Sequence, residues 1–296
     1  MSFERFGIHI GPVTVSYFGL ILVAGMVVGG YLSYREAKKQ REQTEYVLDV
    51  MTWALVAGVV VSRLFYIFNP PPSVAALHNT RWYLTHPFDL QAGPLAIWSG
   101  GLSVSGALFG GLLGAVVCLY RRNADLWKWA GILAPGALLG LAIAGWANIV
   151  NQQLYGPPTT LPWGMRVTRL VPPYNTTEYY QARFHPTPAY LSLWALASFG
   201  ALLWMRHRYP RQLQKGDVFL LALAFYLPGL FLADFLRVDM PTVVFGLTGL
   251  QVLAIVGMGW TAYRGYRRLK GAKPGVGLAP ETPVGEAEVG DVESDH

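Results

Sequence analysis

Residues 126–150 read LWKWAGILAPGALLGLAIAGWANIV, and this stretch decides the class of fold. Lys128 is its only charged residue and lies near its beginning. An apolar run of this length can cross the hydrocarbon core of a bilayer, which is about 30 Å thick, as an α-helix. A helix also satisfies its own backbone hydrogen bonds inside lipid. The stretch therefore predicts a membrane-spanning helix.

Six further apolar runs extend this prediction over most of the chain. The full set covers residues 13–32, 46–68, 95–120, 126–150, 188–205, 218–236 and 245–263. The composition agrees, because only 14% of the 296 residues are charged, against roughly a quarter in a soluble protein. The runs are continuous rather than alternating, which excludes a membrane β-barrel. We predict an all-α, polytopic integral membrane protein with seven transmembrane helices in one bundle.

The lysine and arginine residues predict the orientation of this bundle. Most of them follow the first, third, fifth and seventh runs. They are Arg35, Lys38, Lys39 and Arg41, then Arg121, Arg122 and Lys128, then Arg206, Arg208, Arg211 and Lys215, and then Arg264, Arg267, Arg268, Lys270 and Lys273. Because positive charge is retained in cytoplasmic loops, we expect the N-terminus outside and the C-terminus in the cytoplasm. The net charge of +6 reflects this bias and an attraction to anionic lipid, and nothing indicates nucleic acid as a partner.

The composition changes sharply near the C-terminus. Residues 271–296 are rich in Pro and Gly, and beyond Gly275 they carry acidic residues and no Lys or Arg. Such a segment buries too little apolar surface to fold on its own. We predict one membrane domain, residues 1–270, followed by an acidic, disordered cytoplasmic tail, residues 271–296.

Polar side chains inside the apolar runs are candidate functional groups, because each is costly in hydrocarbon unless it is paired or hydrated. Asn148 and Asn151 are three residues apart at the end of the fourth run and share a helix face with Gly145. Their alternative role is a hydrogen bond between helices. Arg63, near the outer end of the second run, either reaches lipid headgroups or binds a buried phosphate or carboxylate.

The sixth run carries a second polar stripe, in which Tyr226, Leu230, Asp234 and Arg237 fall on one side of a helix. Asp234 and Arg237 either form an internal ion pair or also face a polar cavity, where they suit a phosphate group. The hydroxyls and glycines of residues 98–105 predict a loosened start of the third helix that lines such a cavity. His185, before a proline, is either a structural hydrogen-bonding group or a general base.

Two rows of glycines predict where helices approach each other closely. Gly106, Gly110 and Gly114 recur every four residues in the third run, and Gly136 and Gly140 do so in the fourth. Small residues at this spacing form smooth faces on membrane helices.

At these residues the chain resembles the bacterial prolipoprotein diacylglyceryl transferases. The motifs that carry the resemblance are SYFG at 16–19, SRLFY at 62–66, WSGGLS at 98–103, NIVNQQLYG at 148–156, LPWG at 161–164, HP at 185–186 with Tyr190, and DFLR at 234–237 with Tyr226. They run in order from residue 1 to about residue 265.

The resemblance implies a multi-pass enzyme of the bacterial inner membrane that moves the diacylglyceryl group of phosphatidylglycerol onto the lipobox cysteine thiol of a prolipoprotein. It implies that glycerol phosphate is released and that no metal or organic cofactor is needed. Its partners would be phosphatidylglycerol, the prolipoprotein signal peptide and the membrane. The catalytic candidates are Tyr17, Ser105, Asn148, Asn151, Tyr226 and Asp234. The candidates for binding lipid or phosphate are Arg63, Ser103, Gln153 and Arg237.

The chain departs from the family pattern at several of these positions. Ser105 replaces a histidine, and Gly145 and Leu230 replace arginines. Gln153 replaces a carboxylate, and Asp234 is a shortened one. Each lost charge-assisted contact weakens anion binding by about 1.5–3 kcal/mol, so Arg63, Arg237 or an outer-loop arginine would have to replace the missing ones.

Three hypotheses follow from these departures: a divergent active transferase, a catalytically inactive paralogue that binds lipid or a lipoprotein signal peptide, and a transporter or channel. The third is disfavoured, because the sequence shows no repeated halves of the kind typical of transporters. The first two require a polar, lipid-sized chamber between the third, fourth and sixth membrane crossings.

Overall fold

The computed structural model describes residues 2–4, 7–10, 13–70, 74, 78–97, 101–168, 170, 174–210, 213, 216–238 and 242–271. These ranges contain eight α-helices. They are α1 (Tyr17–Lys39), α2 (Glu45–Phe68), α3 (Thr80–Thr85), α4 (Val104–Arg121), α5 (Leu126–Val150), α6 (Thr187–Arg208), α7 (Asp217–Asp234) and α8 (Gly249–Gly271). A 3-10 turn, Thr177–Tyr179, lies in the loop before α6.

The mostly helical architecture of a multi-pass membrane protein is confirmed. Five of the described helices, α1, α2, α5, α6 and α7, are long and apolar enough to cross a membrane. The apolar part of α4, Gly106–Arg121, is shorter than any of these five helices. A long helix is present at each of the seven predicted runs, but the number of membrane crossings stays a prediction.

Three small antiparallel sheets accompany the helices, so the all-α prediction was incomplete. One joins β1 (Ser2–Glu4), β2 (Gly7–Ile10) and β3 (Val13–Ser16) in that order. A second has the order β4 (Pro158–Thr159), β6 (Arg183–Phe184) and β5 (Met165–Arg166). The third pairs β7 (Thr242–Val244) with β8 (Leu247–Thr248).

Two helix starts differ from the prediction. Residues 13–16 were expected to begin the first membrane helix, but they form β3, which pairs with β2. Val13, Thr14 and Val15 are β-branched, and β-branched residues favour strands. The helix begins where Ser16 caps it, with Oγ accepting from the Gly19 amide at 3.1 Å.

The third helix begins at Val104 rather than at Leu95. The Oγ atom of Ser103 accepts from the Gly106 amide at 3.3 Å and so caps the helix. Gly101 has φ +74°, a left-handed conformation that a helix does not continue. The predicted loosened start is confirmed for residues 101–103, and residues 98–100 lie outside the described ranges.

The glycine rows pack two pairs of helices tightly, as predicted. A Cβ atom on Gly106 or Gly110 of α4 would lie 2.8 Å or less from atoms of α2. Gly136 and Gly140 of α5 face Gly25 and Gly29 of α1 in the same way. Backbone-to-backbone contact of this kind gives membrane helices their van der Waals packing.

Ion pairs bring the basic loop ends together at one end of the bundle. The Arg206 guanidinium of α6 pairs with both carboxylate oxygens of Glu36 in α1, including a 3.0 Å bond from Nη1 to Oε2. Arg122 contacts Asp49 at 2.5 Å, and Lys128 contacts Glu42. Three of the four basic segments predicted to share one side of the membrane, those after the first, third and fifth runs, are therefore joined by ion pairs. The identity of that side stays a prediction.

The contacts divide the chain into Met1–Thr261 and Ala262–His296. The first unit contains α1 to α7, the three sheets and the first part of α8. The predicted tail falls almost entirely on residues 272–296, which lie outside the described ranges. The division into a membrane domain and a disordered tail stays a prediction.

Candidate functional site

An ion pair between Asp234 and Arg237 lies at the end of α7. Nη1 of Arg237 is 3.2 Å from Oδ1 of Asp234, and the two side chains are 2% and 1% exposed. The Arg237 amide also donates to the Asp234 carbonyl at 3.1 Å, which tightens the chain after the helix. The internal pair expected from their spacing is confirmed. Its charges are buried and partnered, as charges away from water must be.

Thr248 and Gln251 complete this cluster from the start of α8. The Gln251 amide donates to Thr248 Oγ1 at 3.2 Å, and the Thr248 amide donates to Gln251 Oε1 at 3.0 Å. This reciprocal pattern is a capping box. The Thr248 hydroxyl in turn donates to Oδ2 of Asp234. Sequence reasoning missed both residues, although Thr-x-x-Gln is the sequence signal of such a cap.

The exit of α5 carries the amide residues singled out from the sequence. Asn148 and Asn151 are partly buried, and Asn151 ends the helix. Gln152 has φ +55° and is 7% exposed, and its Oε1 accepts from the amide and hydroxyl of Thr168 at 2.8 and 2.9 Å. Gln153, the predicted binding residue, is exposed. The buried side-chain amide that binds the loop after α5 is therefore that of Gln152.

The α5 exit meets the end of α7 at Gly156. A Cβ atom there would lie 2.7 Å from the Leu236 carbonyl and 2.9 Å from the Thr187 hydroxyl. Only a glycine allows three chain segments to approach this closely. The NIVNQQLYG motif and the Asp234–Arg237 pair are thus neighbours in the fold.

Tyr226 lies where α5, α6 and α7 meet. It packs against a buried cluster that contains Ala134 and Leu138 of α5 and Leu202 of α6. The fourth and sixth predicted crossings therefore share a face, and Tyr226 lies two turns before Asp234 along that side of α7. Tyr17, the first residue of α1, is partly buried. The side chain of Ser105 lies outside the described part of the structure.

Arg63 holds a loop rather than reaching toward lipid headgroups. It is 5% exposed, and its guanidinium donates to the carbonyls of Gly93, Pro94 and Gly101 at 2.6, 3.0 and 2.9 Å. Of the two alternatives predicted for Arg63, the one in which its side chain reaches lipid headgroups is therefore wrong. Ser62 completes this group, because its hydroxyl donates to the Ser103 carbonyl at 2.7 Å.

The loop that Arg63 holds is itself closed by Asp89. The amides of Gln91 and Ala92 donate to its Oδ1 at 2.8 and 3.1 Å, which lowers the pKa of this exposed carboxyl from its usual value. The Gly93 amide donates to the Asp89 carbonyl at 2.9 Å, and this turn presents the Gly93 carbonyl to Arg63.

The described contacts therefore place the candidates in two groups. One contains Arg63 and Ser103 near the end of α2 and the start of α4, and the other contains Asp234 and Arg237, near Gly156 in the loop that follows α5. A cavity of about 610 Å³ is lined by loop residues including Thr159 and Arg183, and one of about 320 Å³ lies among α1, α5 and α6. Neither is lined by Asn148, Tyr226 or Arg237, so the predicted chamber stays a prediction.

The loop between α5 and α6 and the first turn of α6 share a hydrogen-bonded group of three rings. The Tyr190 hydroxyl lies 3.1 Å from Nδ1 of His185 and accepts from Nε1 of Trp163 at 3.0 Å. It joins the LPWG motif to the start of α6. His185 thus has the hydrogen-bonding partner that the first of its two predicted roles, a structural one, requires.

The sequence is similar to known proteins of one family. The family model described as prolipoprotein diacylglyceryl transferase matches residues 5–263. A phosphatidylglycerol–prolipoprotein diacylglyceryl transferase of Paenarthrobacter aurescens is 32% identical over 247 residues, which are 81% of this chain and 74% of that protein. The chain belongs to the prolipoprotein diacylglyceryl transferase family. The resemblance read from its motifs is confirmed.

Two further relatives of the same name show how far the similarity extends. The protein of Trichormus variabilis is 30% identical over 270 residues, 87% of this chain and 89% of its own length. The protein of Chloroflexus aggregans is 33% identical over 258 residues, 81% of this chain and 77% of its own. Each of these two matches covers more than three quarters of both proteins. The family model, over residues 5–263, covers nearly all of the predicted membrane domain.

The structure explains the glycine at one position where the family pattern led us to expect an arginine. A Cβ atom on Gly145 would lie 3.0 Å from the Pro188 carbonyl and would overlap Oγ of Ser192. The start of α6 therefore fills the space beside α5 that a longer side chain needs. In this member of the diacylglyceryl transferase family the position serves helix packing.

Proposed function

We propose that this chain transfers the diacylglyceryl group of phosphatidylglycerol to the lipobox cysteine thiol of a prolipoprotein. The observation that carries the proposal is its membership of the family, with relatives of that name at about 30% identity over most of both chains. The long apolar helices that such an enzyme requires are present. We also propose seven membrane crossings in the bacterial inner membrane, with the N-terminus outside.

The reaction sets two demands on the site. A bond forms between the thiolate sulfur and a glycerol carbon while the bond from that carbon to a phosphate-ester oxygen breaks. The thiol, with a pKa of about 8.5, must lose its proton to a base. The departing glycerol phosphate takes the electron pair and must be stabilised by positive charge or hydrogen-bond donors.

Arg237 is the candidate for the second demand. The neighbouring Leu236 contacts Gly156 at the end of the NIVNQQLYG motif, and arginine suits phosphate because its planar fork matches two oxygens. Asp234 holds its guanidinium in place. Tyr17, Ser105, Tyr226 and Gln153 stay candidates for the same chamber. Arg63 is engaged by loop carbonyls, which favours a role in shaping the outer ends of α2 and α4.

The test supplies the purified full-length chain with phosphatidylglycerol and a peptide that contains a lipobox cysteine. Mass spectrometry of the peptide should show the gain of one diacylglyceryl group, bound as a thioether. A peptide whose cysteine is replaced by serine is the matched control and should gain nothing. No mass gain beside an active relative under the same conditions would refute the transferase activity.

A second candidate function is that of an inactive family member that binds lipid or a lipoprotein signal peptide. The packing of Gly145 against Ser192 and Pro188 favours it, because that contact occupies the space of an expected arginine. This candidate predicts retention of phosphatidylglycerol without transfer in the same assay.

A further inference from the structure

A buried amide beside the Asp234–Arg237 pair has a donor without a partner. Gln251 is 2% exposed, and its Oε1 accepts from the Thr248 amide at 3.0 Å. Its Nε2 makes no hydrogen bond to any residue that the structure describes. Buried polar groups are nearly always paired, so an unpaired donor at this depth indicates a missing partner.

Thr248 fixes where this donor lies. Its amide binds the Gln251 side chain, and its hydroxyl donates to Oδ2 of Asp234. The amide of Gln251 and the carboxylate of Asp234 are therefore both hydrogen-bonded to one residue. A carboxylate has about four acceptor positions, and the described donors to Asp234 are Thr248 and Arg237. Thr248 thus holds both an amide with a remaining NH₂ donor and a carboxylate with remaining acceptor positions.

A hydroxyl group matches this pair, because it donates one hydrogen bond and accepts others. The amide of Gln251 supplies the donor, and Asp234 supplies the acceptor. We propose that Gln251 and Asp234 together bind a glycerol hydroxyl of the phosphatidylglycerol headgroup and select this lipid among anionic phospholipids. The choice of lipid rests on the proposed function. Arg237, paired with the same carboxylate, lies close enough to attract the adjoining phosphate.

Gln251 also completes the cap of α8, so the test has to separate the two roles. Gln251→Glu keeps an oxygen acceptor for the Thr248 amide, because glutamate and glutamine both complete a capping box, but it removes the NH₂ donor. Gln251→Met removes both groups. Thr261→Val is the control on the same helix, since it removes a side-chain bond to the Gly257 carbonyl, more than two turns further along.

The experiment compares two anionic lipids in nanodiscs that contain the full chain. Phosphatidylmethanol carries the same phosphodiester charge as phosphatidylglycerol but has no headgroup hydroxyl. Native mass spectrometry should show that the wild type and Thr261→Val retain phosphatidylglycerol roughly three- to tenfold better, the ratio that one or two hydrogen bonds give. Both Gln251 variants should retain the two lipids equally.

Two results would overturn the inference: equal retention of both lipids by the wild type, or a preserved preference in Gln251→Glu. If Gln251→Met does not fold, Gln251→Glu decides alone. Transfer to the lipobox peptide is measured separately. A wild type that transfers without a headgroup preference refutes the hydroxyl site alone, and a preference without transfer refutes only the transferase activity.

Discussion

Gly136 of α5 lies directly against Gly29 of α1, and a Cβ atom on Gly29 would be 2.5 Å from the Gly136 carbonyl oxygen. Real Cβ atoms do not approach a backbone oxygen this closely, so the two helices touch through their backbones. This contact, with its repeat at Gly25 and Gly140, positions α5, whose far end carries Asn148 and Asn151.

Valine at Gly29 or Gly136 should separate these helices. The inserted side chain meets backbone that has no room to give, and such overpacking costs about 1–3 kcal/mol or more. We expect a lower melting temperature in detergent, measured by circular dichroism. Gly200→Ala is the control, because a Cβ there meets nothing within 4 Å, and it should leave stability unchanged or raise it by up to about 1 kcal/mol. An equal change in melting temperature for a valine variant and for Gly200→Ala would contradict the close contact.

Arg63→Lys should destabilise the chain although it keeps the positive charge. A lysine ammonium does not reproduce the planar fork that contacts three carbonyls, and each lost bond to a charged group costs about 1.5–3 kcal/mol at most. Limited proteolysis should cut the loop around Gly93 faster than in the wild type. The contrary result would be a variant with unchanged proteolysis and melting temperature but weaker lipid retention. That result would show that Arg63 binds lipid.

Removing the buried ion pair tests the phosphate role of Arg237. The double variant Asp234→Asn with Arg237→Gln leaves no buried charge unpaired, so the fold should survive. We expect retained phosphatidylglycerol to fall at least tenfold, while helical content and membrane insertion stay the same. Arg122→Gln, which loses a partly exposed pair with Asp49, is the control and should retain lipid normally. Normal lipid retention in the double variant would remove Arg237 from the site.

Gly145→Arg tests whether the helix contact at that position is closed. The structure predicts a lower melting temperature and no gain of transfer, because Ser192 and Pro188 occupy the space. Adding Ser192→Gly, which removes the nearest side-chain atom, should recover part of the stability. A stable Gly145→Arg variant with faster transfer would show that α6 moves aside and that an arginine still fits the site.

The features that could be read from the sequence are those set by regular spacing. Glycines every four residues indicated where helices touch, and a spacing of three indicated the Asp234–Arg237 pair, because both follow from helix geometry. Residues 13–16 misled, because they directly precede the apolar run of α1 although their β-branched side chains favour a strand. Their pairing with β2 makes them a strand.

The remaining site features depend on contacts between distant segments. The left-handed turn at Gln152 buries this residue and exposes Gln153, and neighbouring amides in a sequence do not show which of them turns inward. The carbonyls that engage Arg63 lie 30 or more residues away in a loop. The capping box of Thr248 and Gln251 had a readable signal, but it lay inside an apolar run that we predicted as continuous helix.

The most direct test of the account is whether this chain restores lipoprotein modification in bacteria depleted of their own diacylglyceryl transferase. We predict that the wild type restores growth and that mass spectrometry finds a diacylglyceryl group on the lipobox cysteine. The Asp234→Asn and Arg237→Gln double variant, present in the membrane at the same level, should restore neither. Unmodified prolipoprotein in cells that carry a normal amount of the membrane-inserted wild type would contradict the proposed activity.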